Sequence, residues 1–293
     1  MEFIDHPIGC SKGTIMSENP DYTQLGIGVR KDIIEIVDKA GRGHIASAFS
    51  LVEILNVLYE SVLKVNPKNP EMDDRDRFIL SKGHGCLALY PILARQGFFP
   101  REDLFTFCGL DSYLGGHPEH LKIPGVEAST GALGHGMSIG MGMALRSKID
   151  KIPYRVFVAI GDGESNEGST WEAALSCAKH KLGNFTVLID YNKYQSYASV
   201  EEVLNLEPYA DKWRAFGFNV HEADLNHPND FEKMLNKDVD YKGDKPNVVI
   251  CHTIKGKGIS FVENNLSWHH KSRLKPEEVQ NLYEAIEQEA KNA

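Results

Sequence analysis

Apolar residues recur at helical spacing in several segments of the chain. The first helix is predicted over about residues 25–40 and ends at Gly41, a residue type that commonly terminates helices. A second helix is predicted to begin near Ser50, because Ser50 and Glu53 have the spacing of a capping box ahead of an apolar stripe. The same criteria predict further helices over residues 86–96, 209–216, 228–236 and from Pro276 onward.

Short continuous apolar runs predict buried strands. The clearest unit covers residues 154–190, where the apolar runs 156–160 and 185–189 flank a helix that a second capping box, Ser169 with Glu172, is predicted to open. A strand-helix-strand unit of this kind joins parallel strands, so an α/β fold with a mostly parallel central sheet is expected. Other strands are predicted over residues 78–80, 218–223 and 248–252.

One stretch lacks any periodicity. Residues 108–140 are rich in Gly and His and are predicted to form a long loop. Long loops inside compact domains usually carry function, so this segment is expected to contribute to a site.

Length and charge narrow the function classes. A chain of 293 residues fits one large domain or two small ones. Its formal net charge of −9, with acids and bases mixed along the chain, argues against a dedicated surface for nucleic acid or anionic membranes. Small anionic ligands stay compatible with this charge, because a bound metal or a helix N-terminus can supply local positive potential.

The cysteines and the apolar runs indicate an intracellular setting. The five cysteines are odd in number and form no CxxC pair, so neither a disulfide framework nor a zinc site is indicated; they are Cys10, Cys86, Cys108, Cys177 and Cys251. A reducing cytoplasm is therefore expected. The N-terminus has no apolar signal region, and no run approaches the length of a membrane span.

Two oxygen-bearing side chains follow neighbouring predicted strands. Asp162 lies just past the first strand of the 154–190 unit, and Asn192 lies just past the second. Ligands of open α/β sheets bind at such strand ends, and carboxylate and amide oxygens suit Mg²⁺ or Ca²⁺. From the residues alone, an ordinary glycine turn around Asp162 and an unrelated loop asparagine fit the spacing equally well.

Glycine-flanked histidines form a second group of candidates: His44, His84, His117 and His135. Histidine can donate to phosphate or move protons near neutral pH, and the spacings fit no zinc motif.

The spacing of Gly134, Gly136 and Gly140 is similar to that of a dinucleotide-binding fingerprint. A nicotinamide site is nevertheless disfavoured, because no predicted strand precedes these glycines.

The spacing of Asp162 and Asn192 resembles the metal-binding motif of thiamine diphosphate-dependent enzymes. Other stretches are similar to transketolases in particular and occur in that family's order from about residue 25 to residue 275: residues 43–44, 80–85, 116–119, 130–134, 211–213, 253–258 and 268–269. The resemblance implies a three-layer α/β/α thiamine diphosphate-binding domain, the PP domain, over residues 23–293. Residues 1–22 would be a lead-in to it.

The resemblance also implies residues for each part of the site. Mg²⁺, with Ca²⁺ or Mn²⁺ as substitutes, would be held by Asp162, Asn192 and the carbonyl of Tyr194. The cofactor would be contacted by His84, Gly131, Leu133, Gly161, Asp162, Gly163, Glu167 and Asn192. His44, His117 and His269 would be catalytic residues that face the reacting carbon and the donor sugar, with the adjacent His270 as the alternative to His269.

The chain is about half as long as a full transketolase, and the absent half is the one that carries the pyrimidine-binding domain. The resemblance therefore implies the N-terminal subunit of a split transketolase. Its partner would be a C-terminal subunit with that domain, in an α2β2 heterotetramer. The pair would move a two-carbon ketol unit from a ketose to an aldose, both of them sugars or sugar phosphates.

Departures from the family pattern surround the predicted site. His135 stands where the family usually has glutamine, and residues 195–199 and 45–48 lack the family's usual residues. Pentose phosphates, a sulfo-sugar and a nucleotide-linked sugar all stay open as substrates. Two other interpretations stay open as well: the α-subunit of a 2-oxoacid dehydrogenase E1 component, and a non-catalytic scaffold with a vestigial site.

Overall fold

A parallel sheet of five strands forms the centre of the molecule in a computed structural model that describes residues 20–269, 271 and 274–292. The strands are β1 (Arg77–Leu80), β2 (Val156–Gly161), β3 (Phe185–Tyr191), β4 (Asn219–Asp224) and β5 (Asn247–His252). Their order in the sheet is β1-β2-β3-β5-β4, and each neighbouring pair is parallel. All carboxyl ends therefore meet at one edge, where ligands of such sheets bind.

Helices cover both faces of this sheet. They are α1 (Tyr22–Ala40), α2 (Ile45–Phe49), α3 (Val52–Val57), α4 (Cys86–Gln96), α5 (Gly136–Asp150), α6 (Gly168–Lys179), α7 (Val200–Leu204), α8 (Tyr209–Ala215), α9 (Pro228–Lys233) and α10 (Pro276–Asn292). Within β2, Phe157 and Ala159 join a hydrophobic cluster with α1 to α4, whereas Val158 and Ile160 join a second cluster with α5, α6 and α8. This alternation makes three layers and confirms the predicted α/β/α fold class.

The first helix follows the local rules closely. The Asp21 side chain caps α1 by accepting from the backbone N–H of Gln24 at 3.0 Å. At the other end Gly41 adopts a left-handed conformation and its N–H donates to the carbonyl of Val37, which confirms the predicted stop. The described part of the chain contains no helix with the length and apolar character to cross a membrane.

Both predicted capping boxes are wrong. The helix expected near Ser50 is present as α3 and begins at Val52, but its N-cap is Leu51, and the Ser50 hydroxyl instead donates to the carboxylate of Asp190 at 2.6 Å. The Ser169 hydroxyl donates to the carbonyl of Gly134 at 2.9 Å rather than capping α6. A capping box does form where none was predicted, between Ser199 and Glu202 at the start of α7.

The long loop predicted over residues 108–140 is shorter than expected, because α5 begins at Gly136. Residues 97–135 contain no strand, so α5 follows a loop and not the strand that a dinucleotide fingerprint requires. Residues 1–19 of the lead-in predicted over residues 1–22 lie outside the described residues. The division into that lead-in and one domain over 23–293 stays a prediction.

Candidate active site

Asp162 and Asn192 meet across a cavity of about 370 Å³ at the carboxyl edge of the sheet. Asp162 follows β2 and Asn192 follows β3, and these strands are neighbours in register. The two carboxylate oxygens of Asp162 accept backbone N–H groups, one from Gly163 at 2.7 Å and one from Lys193 at 2.5 Å. The second bond links the end of β2 to the loop after β3 and so brings the two predicted ligands to one place.

The oxygen donors of this cavity suit a hard cation. A carboxylate offers about four lone-pair positions, so the two accepted N–H groups leave Asp162 capacity for a metal. The Asn192 amide oxygen accepts from the N–H of Tyr194 at 3.1 Å, which orients it in the same loop. The carbonyl of Tyr194 accepts from the Lys255 ammonium at 3.3 Å. Carboxylate, amide and carbonyl oxygens together match the ligands that Mg²⁺ or Ca²⁺ prefers.

Electrostatics at Asp162 favour an added positive charge. Burial, reinforced by the negative charge of Asp190, raises the pKa of Asp162 to about 7. Lys255 faces the same cavity, and burial together with the charge of Lys82 lowers its pKa to about 8. A buried carboxylate is stabilised in its charged form by a bound cation, so a metal would remove the cost of ionising Asp162.

Two polar atoms in this cavity have no hydrogen-bond partner within the described residues. They are the amide oxygen of Asn166 and the amide nitrogen of Gln195, both buried. Buried polar atoms are nearly always paired in folded proteins, so these two mark places where a ligand or water would bind. The Gln195 amide nitrogen can donate to a diphosphate oxygen, and the oxygen atoms of Asp162, Asn192 and Tyr194 suit its metal, so the residues present fit a metal-bound diphosphate.

A buried carboxylate that the sequence did not reveal supports the loops of the site. Glu164 accepts from the hydroxyl of Ser81 and from the backbone N–H groups of Gly134 at 2.9 Å and Gly161 at 3.3 Å. Burial raises its pKa, which those hydrogen bonds oppose. Glu164 thus ties the segments after β1 and β2 to the turn before α5. In the sequence, its position two residues after Asp162 is the feature that could have indicated a role for Glu164 in the site.

Three imidazoles gather above the cavity. The ring centroids of His44 and His84 are 5.7 Å apart, and His269 lies 6.2 Å from each. Burial, followed by the charge of Lys82, lowers the pKa of His84 well below its ordinary value. His84 is therefore neutral at pH 7 and can donate one hydrogen bond and accept another. The ring nitrogen Nε2 of His269 lies 3.2 Å from the hydroxyl of Ser196.

A second cavity of about 610 Å³ adjoins the first, and His84 lines both. His44 and His117 line this second cavity. Glycine is needed at Gly131 beside it, because the backbone there has a φ of +139° and an added Cβ would lie 2.8 Å from the His117 ring.

The structure brings most of the predicted residues together. Nine of them line the first cavity: His84, Leu133, Gly161, Asp162, Gly163, Glu167, Asn192, Tyr194 and His269. His44 and His117 line the second, and Gly131 packs on His117. His135 is exposed and lines neither cavity. His270, the alternative to His269, lies outside the described residues.

Known proteins match over nearly the whole chain. Residues 26–292 match the family model of the transketolase thiamine diphosphate-binding domain. One subunit of an apulose-4-phosphate transketolase from Phocaeicola vulgatus is 44% identical over 82% of this chain and 85% of its own. A 6-deoxy-6-sulfo-D-fructose transketolase subunit of a Clostridium species is 40% identical over 83% of this chain and 88% of its own.

Full-length transketolases match over the same region. The human enzyme is 32% identical over 90% of this chain, but the match covers only 42% of the human chain. The crystal structure of a transketolase from Campylobacter jejuni superposes with a TM-score of 0.79 and 28% identity, covering 93% of this chain and 48% of that one. The chain thus spans less than half the length of these longer relatives.

Proposed function

The chain belongs to the transketolase family, and from that membership we propose that it is the diphosphate- and metal-binding chain of a two-chain transketolase. The enzyme moves a two-carbon ketol unit from a ketose to an aldose. The observation that carries this proposal is the meeting of Asp162 and Asn192 across one cavity at adjoining strand ends. Without that juxtaposition, the matched motifs would have no place to hold a cofactor.

Thiamine diphosphate and Mg²⁺ are the groups that this cavity fits. Asp162, Asn192 and the Tyr194 carbonyl would hold the metal, with Ca²⁺ or Mn²⁺ as substitutes. His84, Gly131, Leu133, Gly161, Gly163 and Glu167 would contact the cofactor. When bound, thiamine diphosphate supplies the carbon nucleophile and the electron sink of ketol transfer.

The histidines handle protons and orient the donor sugar. His84 stays neutral because burial lowers its pKa, so it can donate to an oxygen atom without adding a charge. His44 and His117 line the second cavity and His269 lines the first, and His84 lines both; the donor carbonyl and its hydroxyls would lie among these residues. There they stabilise developing oxyanions or move protons between the sugar oxygens.

A partner chain completes the enzyme. The relative from Phocaeicola vulgatus is named as one subunit of its transketolase, which fits a two-chain arrangement for this protein too. Val203 and Leu204 line the first cavity although about half of each residue is exposed, at 48% and 57%. Exposed apolar groups beside a cavity fit coverage by another chain.

The partner in this proposal carries the pyrimidine-binding domain, and the pair assembles as an α2β2 heterotetramer. The assembly works in the cytoplasm on sugar or sugar-phosphate substrates. The names of the two split relatives point to phosphorylated and sulfonated sugars as candidates. The matches to transketolases favour this interpretation over a dehydrogenase E1 component.

An activity assay with separately purified chains tests the proposal. The chain and its partner are mixed with thiamine diphosphate, Mg²⁺, a ketose donor and an aldose acceptor, and the two new sugars are measured by chromatography. Turnover is expected with both chains and with neither chain alone. Decarboxylation of pyruvate without ketol transfer would favour the E1 interpretation. Assembly without any cofactor binding would favour a scaffold.

A further inference from the structure

We propose that the second cavity binds a terminal tetrahedral oxyanion of the donor ketose, a phosphate or a sulfonate, and that Arg42 is the residue that selects it. This inference rests on the proposed function, since it assumes a sugar substrate at the histidines. It adds a specificity residue on this chain for the charged end of that substrate.

The charge of the cavity lining supports an anionic ligand. The charged lining residues are Arg42 and Lys271, joined by the titratable His44, His84 and His117. No carboxylate is among the lining residues that the structure describes, although the chain as a whole carries a net charge of −9. A cleft lined by one sign of charge concentrates ligands of the opposite sign.

Arg42 differs from the other arginines that the structure describes. Each of the others lies within 4 Å of a carboxylate: Arg30, Arg75, Arg77, Arg95, Arg101, Arg146, Arg155 and Arg214. No carboxylate within the described residues pairs with Arg42, which is exposed at the cavity. Its guanidinium is therefore available for a ligand, and a guanidinium matches a phosphate or sulfonate with two parallel hydrogen bonds.

Lys271, the other cation of the lining, is already engaged. Its ammonium pairs with Glu278 at 2.5 Å and lies 4.4 Å from the centroid of the Trp268 ring. Because a carboxylate neutralises Lys271, Arg42 carries most of the uncompensated charge among the lining residues that the structure describes. We therefore expect Arg42, and not Lys271, to determine the specificity for anionic donors.

Arg42 lies on the solvent-exposed side of the cavity, between two glycines with positive φ. Gly41 has a φ of +66° and Gly43 a φ of +153°, and a Cβ at Gly43 would lie 2.6 Å from Leu87. Arg42, Gly43 and His44 all line this cavity. The inner end is at His84, which also lines the cofactor cavity. A volume of about 610 Å³ accommodates an extended phosphorylated or sulfonated sugar between these ends.

The test measures donor preference in the two-chain enzyme. Three ketoses of equal chain length are compared as donors: one phosphorylated, one sulfonated and one neutral. In Arg42→Gln the ratio of kcat/KM for the anionic donors to that for the neutral donor is expected to fall roughly tenfold to a hundredfold. The ratio for Arg42→Lys should lie between those of Arg42→Gln and the wild type, because lysine keeps the positive charge but cannot make the two parallel hydrogen bonds of a guanidinium. Whichever anionic donor the wild type prefers identifies the oxyanion.

Arg214→Gln is the matched control, because Arg214 pairs with Asp211 on α8 and lines neither cavity. It should keep the wild-type ratio. An Arg42→Gln enzyme with the wild-type ratio would overturn the inference.

A second measurement does not depend on turnover. Inorganic phosphate or sulfate should raise the melting temperature of the wild-type complex and should raise that of Arg42→Gln much less. Equal shifts in both proteins would overturn the inference. A different outcome would refute the proposed function instead. In that outcome the wild-type complex turns over none of the donors, while the anions still raise its melting temperature more than that of Arg42→Gln.

Discussion

The ammonium group of Lys82, just after β1, contacts the carboxylate of Asp190 in β3, and both side chains are almost fully buried. Burial alone would raise the pKa of Asp190, but the charge and hydrogen bond of Lys82 hold that pKa below its ordinary value. Ser50 and Thr253 also donate to the same carboxylate. Asp190 thereby joins α2 and the ends of β1 and β5 beneath the cofactor cavity.

Asp190→Asn should destabilise the fold strongly. The amide has the same shape, but it leaves the Lys82 ammonium buried without a counter-charge, which typically costs about 3–5 kcal/mol. Urea unfolding of the chain, with the free energy extrapolated to water, measures the loss. Asp244→Asn is the control, because Asp244 pairs with Lys181 at the surface. A loss no larger than that of the control would contradict a structural role for the buried pair.

Two glycines of α5 should respond to alanine with opposite signs. A Cβ at Gly142 meets nothing within 4 Å, so Gly142→Ala should stabilise the chain by about 0.5–1 kcal/mol through helix propensity. A Cβ at Gly140 would lie 2.5 Å from Val158, so Gly140→Ala should destabilise it by about 1–3 kcal/mol. Thermal melting of the two variants beside the wild type compares them directly, and a shift of the same sign in both would refute the packing of α5 on β2.

Strands β1, β2, β3 and β5 could be predicted because each is a short, mainly apolar run that is buried on both faces, whereas β4 is mostly polar and only partly buried. The same reasoning failed for α5, whose small and apolar residues do not form one polar and one apolar side. The capping boxes failed because Ser50 and Ser169 bond to distant parts of the chain. Ser50 reaches Asp190, 140 positions away, and no local pattern contains that bond.

The candidate site was predictable in part for a related reason. Asp162 and Asn192 end strands that are consecutive in one strand-helix-strand unit, so their proximity follows from the connection rule. Lys82 and Asp190 come from strands that are not neighbours, and their contact depends on the whole sheet order. The buried network under the site therefore needed the three-dimensional structure.

The stability of the chain should depend on pH through His84. Its pKa in the folded state lies well below 6.5, mainly because of burial, so below pH 6.5 the unfolded state binds more protons than the folded state. The contribution of His84 to the free energy of unfolding is therefore fully present above pH 6.5. It is lost as the pH drops toward the pKa of the folded state, by at most about 1.4 kcal/mol per pH unit. Urea unfolding at pH 7.5, 6.5 and 5.5 should show a smaller decline in His84→Gln. Identical declines in both proteins would rule out this contribution.

Asp162→Ala should abolish metal-dependent cofactor binding. The substitution removes a carboxylate proposed to contact the metal directly. Changes even to groups outside the metal's own ligands commonly cost about tenfold to a hundredfold in affinity, so a loss beyond about a hundredfold is expected. Calorimetric titration of thiamine diphosphate into the two-chain complex with Mg²⁺ measures it. Asp211→Ala, an exposed carboxylate on α8, is the matched control and should bind as the wild type does.

Chelation separates the metal's role from a merely structural role of Asp162. In the wild type, removing divalent ions with EDTA should weaken thiamine diphosphate binding about as much as the substitution does, because both remove the bridge between protein and diphosphate. In Asp162→Ala the chelator should have little further effect, since the two losses share one cause and do not add. Tight binding by Asp162→Ala that EDTA still weakens would mean that the metal is held elsewhere, and the assignment of Asp162, Asn192 and Tyr194 as its ligands would then be wrong.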